Sequence, residues 1–268
     1  MTPDMHPFDI SWLRLMAAAA LILVALALSL WQRLGLQGRL VVGAIRATVQ
    51  LVAVGYLLVW LFEVDRWYLV LAVLAVMVIV ATLTAARRQS KTSGERRAIV
   101  PIAGLAILAG AGLTLVYVTT VIVHVTPWYN PRYLIPLFGM IVANSMNAAA
   151  LALERLQSEM ESRRAEVEAY LALGATPAQA TAEPARRATV AAMIPAVNAL
   201  AVVGVVSLPG MMTGQILAGA DPTLAVRYQL VVMFMLTAAT AITAAITVQA
   251  YRRTFFTGAA QLKPRAAT

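Results

Sequence analysis

The chain has 268 residues, of which 61% are hydrophobic and only 12% charged, with a mean hydropathy of +0.78. A soluble domain is nearer half apolar and one quarter charged, so this composition argues against a soluble globular protein and for an integral membrane protein. The net charge of +9 raises nucleic acid as a partner, but the placement of the basic residues argues against it. Cysteine is absent, which excludes disulfides and thiolate metal sites.

Apolar runs of about 20 residues, long enough to cross roughly 30 Å of hydrocarbon as helix, recur along the chain. Seven are read: Ser11–Trp31, Leu40–Phe62, Trp67–Ala86, Ile99–Val123, Leu134–Leu153, Thr189–Leu208 and Tyr228–Ala250. The first is too long for a signal-peptide core, and Asp4 and Asp9 precede it instead of basic residues. Arg33 and Arg39 follow the first span, and Arg87, Arg88, Lys91, Arg96 and Arg97 follow the third. Arg155, Arg163, Arg164, Arg186 and Arg187 follow the fifth; Arg252, Arg253, Lys263 and Arg265 follow the seventh. The alternate connections Glu63–Arg66, His124–Arg132 and Pro209–Arg227 are poor in basic residues. The positive-inside rule therefore puts the N-terminus outside and the C-terminus in the cytoplasm. Anionic headgroup contact follows as a by-product. The expectation is one all-α membrane domain over residues 1–268, multi-pass in a bacterial inner membrane.

The longest polar connection, Glu154–Ala188, is predicted to be cytoplasmic. Apolar residues at Leu153, Leu156, Met160, Val167 and Leu171 keep near-helical spacing, so span five should continue beyond the membrane as an amphipathic helix. Gly174 supplies a positive φ that ends a helix cheaply. Thr176 then offers an N-cap, Pro177 fits the first helical position, and Gln179 completes a capping box. A second short helix should run until Pro184 disturbs it. This helix–turn–helix is either an interfacial loop on headgroups or a docking element for a cytoplasmic partner.

Glu168-Ala169-Tyr170, three residues, then Gly174 resembles the E-A-A-x-x-x-G signature of ABC-importer permeases, with Tyr170 in place of the second alanine. In that family the loop is a coupling helix seated in a groove of the ATPase subunit. The resemblance assigns Glu168, Ala169, Gly174, Ala175, Thr176, Pro177 and Gln179 to ATPase coupling. "IPLFGMIVANSMNAAALAL" (135–153), "EAYLALGATPAQA" (168–180), "MIPAVNALAVVGVVSLPGMMTGQILAGADP" (193–222) and "AVRYQLVVMF" (225–234) together resemble the FetB-type permease family. That resemblance implies the membrane subunit of an iron-export ABC transporter, a homodimer working with a separate FetA-like ATPase that binds ATP and magnesium. Plant relatives are linked to aluminium tolerance and nucleotide-sugar transport, so the family name leaves the substrate open.

No catalytic arrangement is read. The chain has no G-x-x-x-x-G-K-[ST] loop, its lysines are Lys91 and Lys263 alone, and His6 and His124 lack metal-ligand spacing. The chain is therefore expected to be no enzyme, to hold no cofactor or metal, and to bind no nucleic acid. Polar groups within spans are costly unless they face protein or water. Arg46 and Gln50 share a face of span two, Asn144 and Asn147 one of span five, and Asn198 follows Pro195 in span six. They either join helices by hydrogen bonds or line a translocation path; Arg46 could also snorkel to the interface.

The string "SLPGMMTGQILAGADP" is expected at the external end of spans six and seven. Pro209 should interrupt the preceding helix, while Gly210, Gly214 and Gly219 permit tight turns or close approach. Its apolar character suggests a re-entrant or dimer-buried gate at Pro209, Gly210, Met211, Met212 and Gly214, the alternative being an ordinary packed loop. Met140, Met146, Met211 and Met212 more often fill gaps than bind soft metals. Iron meets a difficulty, because no carboxylate lies deep in a span and Arg46 would repel a bare cation. An anionic or chelated substrate fits better. Two other classes stay open: an ATP-independent secondary carrier using Arg46, Gln50 and the asparagines, and a non-transporting membrane scaffold. Neither an intramembrane acid nor an inverted repeat supports the carrier.

Overall fold

The computed structural model describes residues 12–64, 66–89 and 93–263. The readings placed on Asp4, His6, Asp9, Ser11, Lys91 and Arg265 lie outside the described residues. The helices in chain order are α1 (Trp12–Trp31), α2 (Gln37–Val64), α3 (Trp67–Gln89), α4 (Ser93–Tyr117), α5 (Pro131–Ser162), α6 (Arg164–Ala172), α7 (Pro177–Ala180), α8 (Ala182–Val202), α9 (Gly210–Leu217) and α10 (Pro222–Arg252). A π turn, Val118–Ile122, extends α4, and a 3₁₀ turn, Arg253–Phe255, closes α10. Among the described residues β structure is limited to the isolated bridges Val203–Ser207 and Phe256–Leu262.

Five helical stretches are long and apolar enough to cross a membrane: Gln37–Val64, Trp67–Gln89, Arg96–Ile122, Pro131–Ser162 and Pro222–Phe255. Met16–Trp31 is a shorter apolar helix. The α8 helix is less apolar because Glu183, Arg186 and Arg187 occupy its first two turns.

Helices α3, α4, α5, α8 and α10 form the packed bundle, with α5 and α10 at its centre. Small side chains let these backbones approach: Ala81, Ala85, Ala103, Ala106, Ala149, Ala152, Ala188, Ala239 and Ala244 are all buried. The tightest approach is at Gly110 on α4. A β-carbon there would lie 2.1 Å from Thr243 Oγ1 and 2.9 Å from the Ala239 carbonyl oxygen of α10. One turn away, Thr243 Oγ1 donates to the Ala106 carbonyl (3.3 Å), a buried bond between the same two helices.

Helices α1 and α2 stand largely outside this bundle. The turn joining them is tied at Ser29, whose hydroxyl accepts from Leu36 N–H (3.3 Å). Helix α2 meets the bundle only toward its end, where Leu61 is buried, Leu58 packs on the core, and the Arg132 guanidinium lies 5.4 Å from the Phe62 ring centroid. Most of its length is exposed in the single chain.

The helices alternate in direction, so their ends gather into two unlike faces. Trp60, Trp67, Tyr68, Tyr117, Trp128 and Tyr133 are exposed at the α2/α3 and α4/α5 connections, an aromatic end such as membrane interfaces favour. The opposite, basic end carries Arg87 and Arg88 of α3, Arg155 and Arg163 of α5, Arg186 and Arg187 of α8, and Arg252 and Arg253.

Three sequence expectations need correction. Span six was placed at Thr189–Leu208, whereas α8 runs Ala182–Val202. Pro184 was expected to disturb the short helix before it; that helix, α7, ends at Ala180, and Pro184 sits buried in the first turn of α8. Backbone N–H groups in a first turn have no intrahelical acceptor, so proline loses nothing there. Nor does Pro209 terminate α8. The chain leaves at Val203 and turns through Gly204, with φ +84°, whose N–H donates to the Ser207 carbonyl (2.9 Å). Pro209 instead precedes α9 as its N-cap.

Candidate functional site

The stretch from Leu153 to Thr181 behaves as the apolar spacing requires. Helix α5 is unbroken from Pro131 to Ser162, and Leu153, Leu156, Met160 and Val167 are buried, with Leu171 packed against the same core. Charges on the other faces pair locally. Glu159, 6% exposed, meets Arg155 (3.1 Å) and Arg163 (3.3 Å), and Arg163 turns also to Glu166 (3.1 Å). The i, i+4 spacing Arg155–Glu159–Arg163 is a readable signal that sequence reasoning passed over. Arg164 bonds Glu168 (2.8 Å) and donates to the Lys263 carbonyl (2.9 Å), so the chain's last described residue straps α6.

The seven coupling candidates are brought together. Helix α6 ends at Ala172, and the chain turns through Gly174 at φ +89°. Thr176 then caps α7 with both halves of the capping box: its hydroxyl accepts from Gln179 N–H (3.3 Å), and its own N–H donates to Gln179 Oε1 (2.9 Å). Pro177 takes the first helical position. Thr181, fully buried, donates to the Pro177 carbonyl (2.7 Å) and joins α7 to α8. Above this anchored base the tip is open: Leu173 is 84% exposed and Tyr170 49%. Glu168, Ala169, Gly174, Thr176 and Gln179 are exposed and Ala175 is partly so. A shallow cavity beside α7 is lined by Thr176, Pro177, Arg252, Arg253 and Phe256. Hydrogen bonds from Arg186 and then Arg187 hold the Glu183 carboxyl down to about 2. The start of α8 thus carries an ionised carboxylate, favourable at a helix N-terminus.

The five candidate path residues are scattered, and among the described residues none bonds to another. Arg46 and Gln50 share the exposed flank of α2. Asn144 turns back to its own helix, donating to the Met140 carbonyl (2.9 Å). Asn147 joins helices, accepting from Arg88 at the end of α3 (3.1 Å). A second such link follows, Gln89 to Gln157 (2.5 Å), neither residue having been singled out from sequence. Asn198 is exposed on α8.

The five gate candidates gather at the start of α9, at the aromatic end. Gly210 and Gly214 lie within the helix, and a β-carbon on either would meet nothing within 4 Å, so neither makes a close approach within the chain. The positive φ is at Gly219, after the helix. Met211 packs on the core and faces one cavity, while Met212 lines another. Among the described residues no group of three His, Asp or Glu side chains is placed to hold a metal ion.

A multi-span helical bundle with one aromatic and one basic end, bearing a braced protrusion on the basic end, is the architecture of a polytopic membrane protein. Residues 12–256 match the UPF0014 family, described as an uncharacterised protein family, and the chain belongs to it. The UPF0014 membrane protein slr1647 of Synechocystis is 43% identical over 92% of this chain and 93% of its own. The UPF0014 membrane protein STAR2 of rice is 38% identical, over 95% and 87% of the two chains. The probable iron export permease protein FetB of Escherichia coli is 35% identical, over 96% and 97%. The FetB-type resemblance thus extends across nearly the whole chain. No solved structure matches it.

Proposed function

We propose that the chain is the permease subunit of an ABC transporter in a bacterial inner membrane, with seven spans, the N-terminus outside and the basic end in the cytoplasm. It moves a small solute using a separate ATPase, which holds the ATP and magnesium; the permease itself carries no catalytic centre. The observation that carries this reading is the α6–Gly174–α7 protrusion. Its base is fixed to α5 and α8 by Val167, Thr181 and the Glu159 ion pairs, and its tip offers Tyr170 and Leu173 to a partner. An apolar tip exposed on a polar face suits a partner's groove, and a rigid base is what converts partner closure into movement of α5 and α8.

Two copies complete the transporter. The Arg46 and Gln50 flank of α2 is uncovered in one chain; an arginine facing lipid costs about 2.5–3.5 kcal/mol or more at the bilayer centre and less toward the interface, to which Arg46 can snorkel. A second copy or an aqueous path between copies removes that cost. Iron is named for the relative FetB. The sparse donor set here suits an anionic or chelated solute better than a bare cation.

Cysteine placed at Ala175 should cross-link to a purified ATPase partner, with Ser158→Cys, on the exposed side of α5 before the protrusion, as the comparison position. Capture at Ser158 but not Ala175 overturns the docking assignment. Transport that continues without any ATPase would favour the secondary carrier instead.

A further inference from the structure

At the aromatic end, a cavity of about 200 Å³ lies between the π turn after α4, the start of α5, and helices α9 and α10. Its lining includes Arg132, Tyr133, Met211, Gln215, Tyr228 and Val232. The volume is many times the roughly 10–15 Å³ that one water needs.

Two of its groups are unmatched in complementary ways. Gln215 Oε1 is shielded from solvent and accepts no hydrogen bond, and a buried acceptor without a donor is costly. Among the described residues the Arg132 guanidinium has no carboxylate partner; its one recorded contact is with the Phe62 ring, at 5.4 Å. Arg132 is moreover the second residue of α5, following Asn130 as N-cap, where the helix dipole disfavours a cation. Arg132 is exposed, at the rim of the cavity; a positive charge in that position is complemented by an anion, and a guanidinium grips planar oxyanions through two donors. The glutamine oxygen asks for an O–H or N–H at the other side of the same molecule.

We propose that this cavity binds a small oxyanion that also carries a hydroxyl group, with Arg132 holding the charged oxygens and Gln215 accepting from the hydroxyl. Two sources share that chemistry, a free hydroxy acid and the headgroup of phosphatidylglycerol. The site deepens the transport reading by naming a solute class at the external end of the path. Binding is measured on the permease alone, so its failure is separate from failure of ATPase docking.

The test is calorimetric titration of the full chain in detergent with lactate and with propionate, which differ by the hydroxyl. Lactate should bind at least tenfold more tightly. Arg132→Gln should abolish binding of both acids, and Arg132→Lys should weaken both. Gln215→Leu should remove the preference while leaving propionate binding intact. Native mass spectrometry from nanodiscs containing phosphatidylglycerol tests the second source: retention of that lipid by the wild type but not by Arg132→Gln places the headgroup in the cavity. Equal or absent binding of the two acids, together with no Arg132-dependent lipid, overturns the proposal. Thermal melting of each variant identifies any that are misfolded; Gln215→Asn, which keeps an acceptor, serves as the folded control and should lower the preference only in part.

Discussion

Gly110 and Gly174 carry different burdens, and their substitutions should fail differently. At Gly110 any β-carbon collides with α10, and two of the three nearest atoms, the Ala239 carbonyl oxygen and the Thr243 nitrogen, are backbone. Overpacking of this kind costs typically 1–3 kcal/mol and sometimes more. Gly110→Ala should therefore lower the melting temperature of the purified chain, and Thr243→Ala should relieve only part of the loss, since the Ala239 carbonyl remains. At Gly174 a side chain meets empty space, so its cost is conformational alone, about 1 kcal/mol or more for a branched residue at φ +89°. Gly174→Val should lower the bundle's melting temperature less than Gly110→Ala does, while hydrolysis by the partner persists without transport, and Gly174→Asn, which tolerates positive φ, should retain more coupling. A bundle that melts as early in Gly174→Val as in Gly110→Ala would mean the turn supports the fold instead of the partner. Glu183 shows the sign of a pH effect. Its carboxyl, held down to about 2 from 4.5, contributes stability that is present above 4.5 and lost only as pH falls through about 2. Melting differences between wild type and Glu183→Gln should thus stay constant from about pH 5 to 8.

At the scale of elements, α6 and α7 separate anchoring from docking. Val167, 1% exposed, seats α6 on the bundle, whereas Leu173 at the tip touches nothing that buries it. Leu173→Glu should abolish ATPase association without shifting the melting temperature; Val167→Asp should lower both. Loss of stability in Leu173→Glu would contradict its exposed placement. How much of this was legible follows from what each element depends on. The extension of α5 was readable because Leu153, Leu156, Met160 and Val167 repeat at helical spacing, and the α7 cap because Thr176, Pro177 and Gln179 act within four residues. The limits of α8 were not readable. Pro184 and Pro209 look alike as breakers, yet one lies in a first turn and the other precedes a new helix. The turn at Gly204 was hidden inside an apolar run that reads as continuous span. Contacts between distant helices leave no local trace at all: Gly110 against α10, Arg88 to Asn147, and the cavity at Gln215 emerge only when the bundle assembles.

For the whole molecule, most of the arginines lie at the end opposite the α2/α3 and α4/α5 aromatics, and the membrane orientation proposed from them is one that labelling can test. In this cysteine-free chain, Ser207→Cys, in the exposed turn after α8, should react with an impermeant external reagent in intact cells, and Ser158→Cys, exposed beyond the membrane on α5, should not. The reverse pattern inverts the topology. The same whole-molecule view governs α2. A lone chain leaves this helix touching the bundle only near Leu58, Leu61 and Phe62, with Arg46 and Gln50 some 12–24 Å away along the helix, by roughly 1.5 Å per residue, on an open flank. Among the described residues neither side chain has a hydrogen-bond or ion-pair partner, so their removal should not unfold the bundle. If the flank faces a path between two copies, Arg46→Ala and Gln50→Ala should each lower transport several-fold while expression, melting and ATPase association stay at wild-type levels. Arg46→Lys, which keeps the charge but loses the planar fork, should fall between wild type and Arg46→Ala for an oxyanion-bearing solute. Equal loss of folded protein and of transport in the alanine variants would assign the flank to helix packing between copies and remove it from the path.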